Sequence, residues 1–166
     1  MKTLDRALAI FCNALRVLIG VLIGLLILPV GAQVISRYTG LLPVYLWTEE
    51  LATFIFVWIV MLGSMLAVWD KTHFDVHVVP ELSSPLGRLL QQGFVHVAVA
   101  AFAFLFIWYG IGYTQFGSIQ SSVMLRMNMA FTYVTVPIAG VGWALFSIRH
   151  LIVEIGRYRA HQRSEQ

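Results

Sequence analysis

Charge is what this sequence has least of. Eleven lysines and arginines and eight aspartates and glutamates make up 11% of its 166 residues, while 59% are hydrophobic. A soluble domain usually carries about 25% charged residues. One small core cannot hide the apolar excess, so an ordinary soluble domain is excluded. A single cysteine, Cys12, excludes an internal disulfide. There is no internal repeat, no low-complexity tract and no nucleotide-binding glycine loop. The net charge of +3 does not point to nucleic acid, because the basic residues sit at the ends of apolar runs. Residues 17–36, 51–69, 89–125 and 127–148 carry no charge at all.

A helix needs roughly 20 apolar residues to cross about 30 Å of hydrocarbon. Each uncharged run therefore holds one span. The longest holds only one, since it turns polar after Tyr113, at Gln115, Ser118, Gln120, Ser121 and Ser122. The expected spans are 17–35, 51–69, 89–113 and 130–148. Lipid offers exposed backbone no hydrogen-bond partner, and the alternation of a barrel strand is missing, so the spans are helices. The fold class is all-α integral membrane, a single four-helix transmembrane domain over residues 1–166. Leu4, Leu8, Phe11 and Leu15 form a helical stripe, with Lys2, Asp5 and Arg6 elsewhere on the wheel. That pattern predicts an N-terminal interfacial amphipathic helix leading into span one. Val30, Gly31 and Ala32 look like a signal-peptidase site, but the apolar run exceeds signal-peptide length, so the segment is expected to be retained.

With the N-terminus in the cytoplasm, Lys2, Arg6, Arg16, Lys71, Arg88, Arg149, Arg157, Arg159 and Arg163 face inward. Only Arg37 and Arg126 face outward. The positive-inside bias places both termini in the cytoplasm. Tyr38, Tyr45, Trp47, Trp108, Tyr109, Tyr113 and Tyr133 mark the outer boundary, and Trp69 the inner one. Pro29 and Pro137 are expected to kink spans one and four. Ser84 and Pro85 read as a helix N-cap and first helical residue.

Three clusters are candidates for function. In the outer loop, Arg37 is followed by Trp47, Thr48, Glu49 and Glu50. Thr48 suits an N-cap, and the two acids suit the positive end of the helix dipole. Arg37 also stands close enough in sequence to form a network with Glu49 and Glu50, because charges at a membrane boundary tend to pair. In the inner loop, His73, Asp75 and His77 alternate. An extended chain would turn them to one side, which suits a metal; a solvated loop resting on the membrane or on a partner is the plainer reading. The third cluster is the pair His96 and His150, both toward the inner side. Two histidines on facing helices can hold a haem; alternatively His96 bonds a neighbouring helix and His150 snorkels to the interface. Gly20 with Gly24, Gly63 with Ala67, and Gly140 with Ala144 have the spacing that lets helices approach closely.

No ionised side chain lies in the middle of any span, and no two matching halves with interrupted helices are present. Proton relays and charged-substrate sites usually need the former, and many transporters show the latter. The chain reads as a scaffold, with chemistry or transport carried elsewhere. It is not expected to be an enzyme, and no cofactor is expected.

Arg37-Tyr38, Trp47-x-Glu49-Glu50, Trp58, Leu62-Gly63, Ala67 and His73, in that order, resemble the small membrane subunit of tripartite ATP-independent periplasmic (TRAP) transporters, the DctQ-like family. Tyr133 and Pro137 to Gly140 are similar to the family's fourth span, whereas Met127, Asn128 and Met129 stand where the family would have a proline. The resemblance implies a bacterial inner-membrane scaffold bracing a large transport subunit, one to one. It further implies a periplasmic binding protein as transient partner and ion-gradient-driven, sodium-coupled uptake of an organic acid. Arg37, Trp47, Glu49, Glu50, Trp58, Gly63, His73 and Asp75 are then the candidate contact residues. The rival expectation is a haem-bearing anchor subunit of an oxidoreductase.

Overall fold

A long uncharged run leaves backbone groups no partners but one another, and helices result. The computed structural model describes residues 2–39, 46–70 and 85–164. It contains α1 (Lys2–Thr39), α2 (Leu46–Asp70), α3 (Pro85–Ser118), a single turn α4 (Ala130–Tyr133) and α5 (Thr135–Ser164). Among the described residues, four stretches are long and apolar enough to cross a membrane: Arg6–Thr39, Leu46–Asp70, Gly93–Ser118 and Ala130–Val153. They match the four expected spans: the first two extend at both ends, the third lies in α3, which runs from Pro85 to Ser118, and the fourth starts at 130 as expected and runs on to Val153.

The expected interfacial helix and span one are one continuous helix, α1. Within its stripe, Leu15 is buried and Leu8 half-buried, while Phe11 is exposed and Cys12 takes the inward place beside it. Pro29 lies inside α1 and removes one rung of its ladder, yet the helix runs on to Thr39. Pro137 acts differently. It has no N–H for the carbonyl of Tyr133, and its ring crowds that carbonyl. The fourth span accordingly divides at Val134 into α4 and α5, while Ile138 N still donates to the Val134 carbonyl at 3.3 Å. Pro85 opens α3 as expected; its proposed cap, Ser84, lies outside the described residues. α2 begins at Leu46, two residues ahead of Thr48. Thr48 is therefore a buried residue of the first turn rather than the cap.

Packing follows two pairs. α3 lies along α5, α1 lies along α2, and α2 joins the pairs by packing on α5. Their meeting place is a core of Cys12, Leu15, Leu62, Met65, Val68, Val99, Ala139 and Phe146. Lipid tails are as apolar as leucine, so this association rests on close packing and interhelical hydrogen bonds. The α3–α5 contact shows it: a Cβ on Gly140 would sit 3.0 Å from the carbonyl oxygen of Ala103. Gly20, Gly24 and Gly63 differ, since a Cβ there would meet nothing within 4 Å. Of the expected small-residue pairs, the one in α5 is thus used inside the chain. One polar link crosses mid-bundle, where Trp143 Nε1 donates to Ser64 Oγ at 3.2 Å and Ser64 Oγ donates to the Met61 carbonyl at 2.7 Å.

Candidate functional site

Polar contacts gather at the two ends of the bundle. At one end, residues 119–129 connect α3 to α4 as a closed turn. Ser122 N donates to the Met127 carbonyl at 2.8 Å, and Met129 N to the Gln120 carbonyl at 3.0 Å. Asn128 ties both flanks: its Nδ2 donates to the Ser118 carbonyl at 3.0 Å and its Oδ1 accepts from Ala130 N at 2.8 Å. Arg126 adopts a left-handed φ of 52°. At the tip, the amides of Val123, Met124 and Leu125 converge on the carboxylate of Glu50. Oε1 accepts from Val123 at 3.1 Å and Met124 at 3.0 Å, and Oε2 accepts from Met124 at 3.1 Å and Leu125 at 2.9 Å. Successive amides in a turn form a concavity suited to an anion, and here the anion is a side chain of α2.

This changes the role of the acidic pair. Glu50 is occupied by backbone amides rather than by Arg37, so the expected Arg37–Glu49–Glu50 network does not form among the described residues. The competition favours the amides because three donors are fixed by the turn, whereas an arginine must be immobilised to pair. Arg37 is exposed in the last turn of α1, and Glu49 is exposed in the first turn of α2, where its carbonyl accepts from Thr53 Oγ1 at 2.9 Å. Trp47 is exposed beside it. A cleft of about 720 Å³ separates the start of α2 from the turn, lined by Leu46, Glu49, Glu50, Phe54, Ser122 and Met124 among others. Trp58 packs against the core of the chain itself. Gly63 opens on empty space. His73, Asp75 and His77 lie outside the described residues.

The opposite end is held by several smaller contacts. Arg16 Nη2 donates to both carboxylate oxygens of Asp70, at 2.7 and 3.0 Å, joining α1 to α2. His150 Nε2 donates to the Trp69 carbonyl at 3.2 Å. That carbonyl is among the last four of α2, which lack partners within the helix. The Arg149 guanidinium lies 4.6 Å over the Trp69 ring, a cation–π contact between α5 and α2. Ser147 Oγ donates to the His96 carbonyl at 2.7 Å, joining α5 to α3.

The two histidines meet, but not as haem ligands. Their rings stack, centroids 5.5 Å apart and planes within 13°. Two axial ligands must aim nitrogens at a shared iron from opposite sides. Here the faces, not the nitrogens, confront each other, and His150 Nε2 is engaged by Trp69. His150 is also buried rather than snorkelling. The pair fastens α3 to α5.

Sequence reasoning missed the Glu50 turn. Ser121, Ser122 and Asn128 were the available signal, since such side chains commonly close turns on their own backbone. Taken together, the polar groups connect this chain's own helices at both ends, which suits a rigid membrane part rather than a reaction centre.

Residues 26–157 match the family described as tripartite ATP-independent periplasmic transporters, DctQ component. The chain is also 28% identical, over 110 residues, to the Sialic acid TRAP transporter permease protein SiaT of Haemophilus influenzae (strain 86-028NP). That match covers 66% of this chain and 18% of the relative, so the chain spans under a fifth of the protein it resembles. Four apolar helices of crossing length and a family match over most of the sequence agree: this multi-pass membrane protein belongs to the DctQ component family of TRAP transporters.

Proposed function

We propose that the chain is the small scaffold subunit of a binding-protein-dependent TRAP transporter, bracing a large transport subunit in the bacterial inner membrane. The observation that carries this reading is the distribution of polar groups. They tie the bundle's ends together, while no ionised side chain stands in the middle of a span. A carrier of charged cargo needs such groups along its path. A brace needs a stiff bundle with apolar outer faces, and α1 offers one, with Val17, Val21, Ile27 and Leu28 exposed and Gly20 and Gly24 clear.

The relative is named for sialic acid, an acidic sugar, and an organic acid is the cargo class we assign to the whole transporter. In this reading the large subunit moves cargo on an ion gradient, one large subunit to one small. The Arg16 end faces the cytoplasm with both termini, and the Glu50 end faces the periplasm, where a binding protein docks transiently. Arg37, Trp47 and Glu49 are the outward contact candidates, Gly63 is a lateral one, and His73 and Asp75 are inward ones. The test is reconstitution under a sodium gradient. Liposomes with this chain alone are expected to take up no organic acid, and liposomes with large subunit, small subunit and binding protein are expected to do so. Uptake by the isolated chain at the rate of the full assembly would overturn the proposal.

A further inference from the structure

The turn that Glu50 holds carries an unusual set of side chains. Ile119 is 85% exposed, Val123 79%, Met124 48% and Met127 39%. Phe116 and Phe131, on the flanking helices, are 55% and 60% exposed. A turn meant for water would be polar. In this one Ser122 and Asn128 bond the backbone of the turn and its flanks, and large apolar side chains are exposed alongside Gln120, Ser121 and Arg126.

Its position relative to α2 indicates what covers it. The tip hangs on Glu50, the fifth residue of α2, so the anchor lies about 6 Å inside the start of that helix at 1.5 Å per residue. The tip lies across a cleft from the first turn of α2, where Leu46, Glu49 and Glu50 face Val123 and Met124. At the same end of α3, Trp108, Tyr109 and Tyr113 are 68%, 70% and 48% exposed, which is the belt that marks a membrane–water boundary. Apolar tip and aromatic belt thus lie toward the same end of the bundle, with Tyr113 five residues before Ser118, the last residue of α3. Arg126, exposed next to Leu125 and Met127, has no ion-pair partner among the described residues. A cation flanked by methionines and leucine suits a phospholipid surface, with the apolar groups below the phosphates and the guanidinium beside them.

We infer that the 119–129 turn is a preformed membrane-interface anchor. Val123 and Met124 enter the acyl–headgroup boundary of the leaflet on the Glu50 side, Arg126 meets lipid phosphate, and Glu50 sets the depth. The inference rests on the four helices being membrane spans and does not depend on the transport reading. Holding the turn by its amides leaves Val123 and Met124, which also line the cleft against α2, exposed to lipid at 79% and 48%.

The test is a nitroxide at Val123→Cys in a Cys12→Ala background, in nanodiscs of phosphatidylethanolamine and phosphatidylglycerol, with Phe104→Cys as the mid-span reference. Collision rates with oxygen and with a water-soluble nickel complex report depth. Oxygen is expected to exceed nickel at position 123, at a depth shallower than position 104. Arg126→Glu is expected to shift position 123 toward nickel. Preference for nickel in the otherwise unaltered chain would overturn the inference, because the turn would then stand in water. Protection from both reagents would overturn it too, because protein rather than lipid would then cover the tip. An unchanged depth in Arg126→Glu would remove the phosphate contact from the proposal.

Discussion

The two ends of the bundle are fastened by opposite strategies. At the Glu50 end a single side chain gathers three consecutive amides, so one residue ties a turn, closed by its own backbone, Ser122 and Asn128, to α2. At the Arg16 end, an ion pair, a histidine–carbonyl bond, a serine–carbonyl bond and ring contacts share the work among four helices. Concentrated fastening makes a sharply defined turn that fails at one position. Distributed fastening tolerates loss of any member.

Glu50→Ala should have the largest effect. Without the carboxylate, the amides of Val123, Met124 and Leu125 lose their shared acceptor, and their hydrogen exchange in detergent or nanodiscs should rise to that of unprotected loop amides. Glu49→Gln should leave those rates unchanged and cost only about 0.3–1 kcal/mol, the usual scale of a helix-dipole contact. Equal effects at the two adjacent acids would erase the contrast between a latch and a helix-start charge.

His150→Ala comes next. It leaves the Trp69 carbonyl without its partner and removes the stack on His96. Interhelical hydrogen bonds in membranes are modest, so the expected destabilisation is about 1–2 kcal/mol, read by denaturant titration in mixed micelles. Collapse of the fold from this one change would mean that this end too depends on a single residue.

Arg16→Ala should do least. The pair is one nitrogen on a carboxylate, with side chains 50% and 37% exposed, so solvent screens it. A loss of about 0.2–1 kcal/mol is expected, shrinking further as salt is raised. A larger, salt-independent loss would show that the pair is shielded in the membrane setting and anchors this end.

The contrast between the ends also marks how far the sequence could be read. Uncharged runs are a direct record of lipid contact, so four helices were legible, as were Pro85 as a helix start and the break near Pro137. Helix ends were read short, because a helix continues into the interface through residues such as Arg16 and Arg37 that charge-counting treats as boundaries. The start of α2 was misplaced for a related reason: Thr48 looks like a cap, but Leu46 and Trp47 already wind ahead of it. The partner of Glu50 was not legible at all. Every residue but proline has an amide, so an amide cluster leaves no signature in residue types, whereas Arg37 advertises a charge. The histidines were legible as a pair, but ring orientation depends on how α3 and α5 are rotated, which spacing alone does not fix.

The latch spans a long stretch of chain. Glu50 and the amides it holds are 73 to 75 residues apart, while Arg16 and Asp70 are 54 apart. Chains are made and inserted from the N-terminus. The Arg16–Asp70 pair can close as soon as the second helix is in place. Glu50 must then wait at the membrane boundary, hydrated, until the third helix has been threaded and the turn after it has emerged on the same side. Closure of that turn is therefore a record of the first three crossings: it can form only when they have the right order and direction.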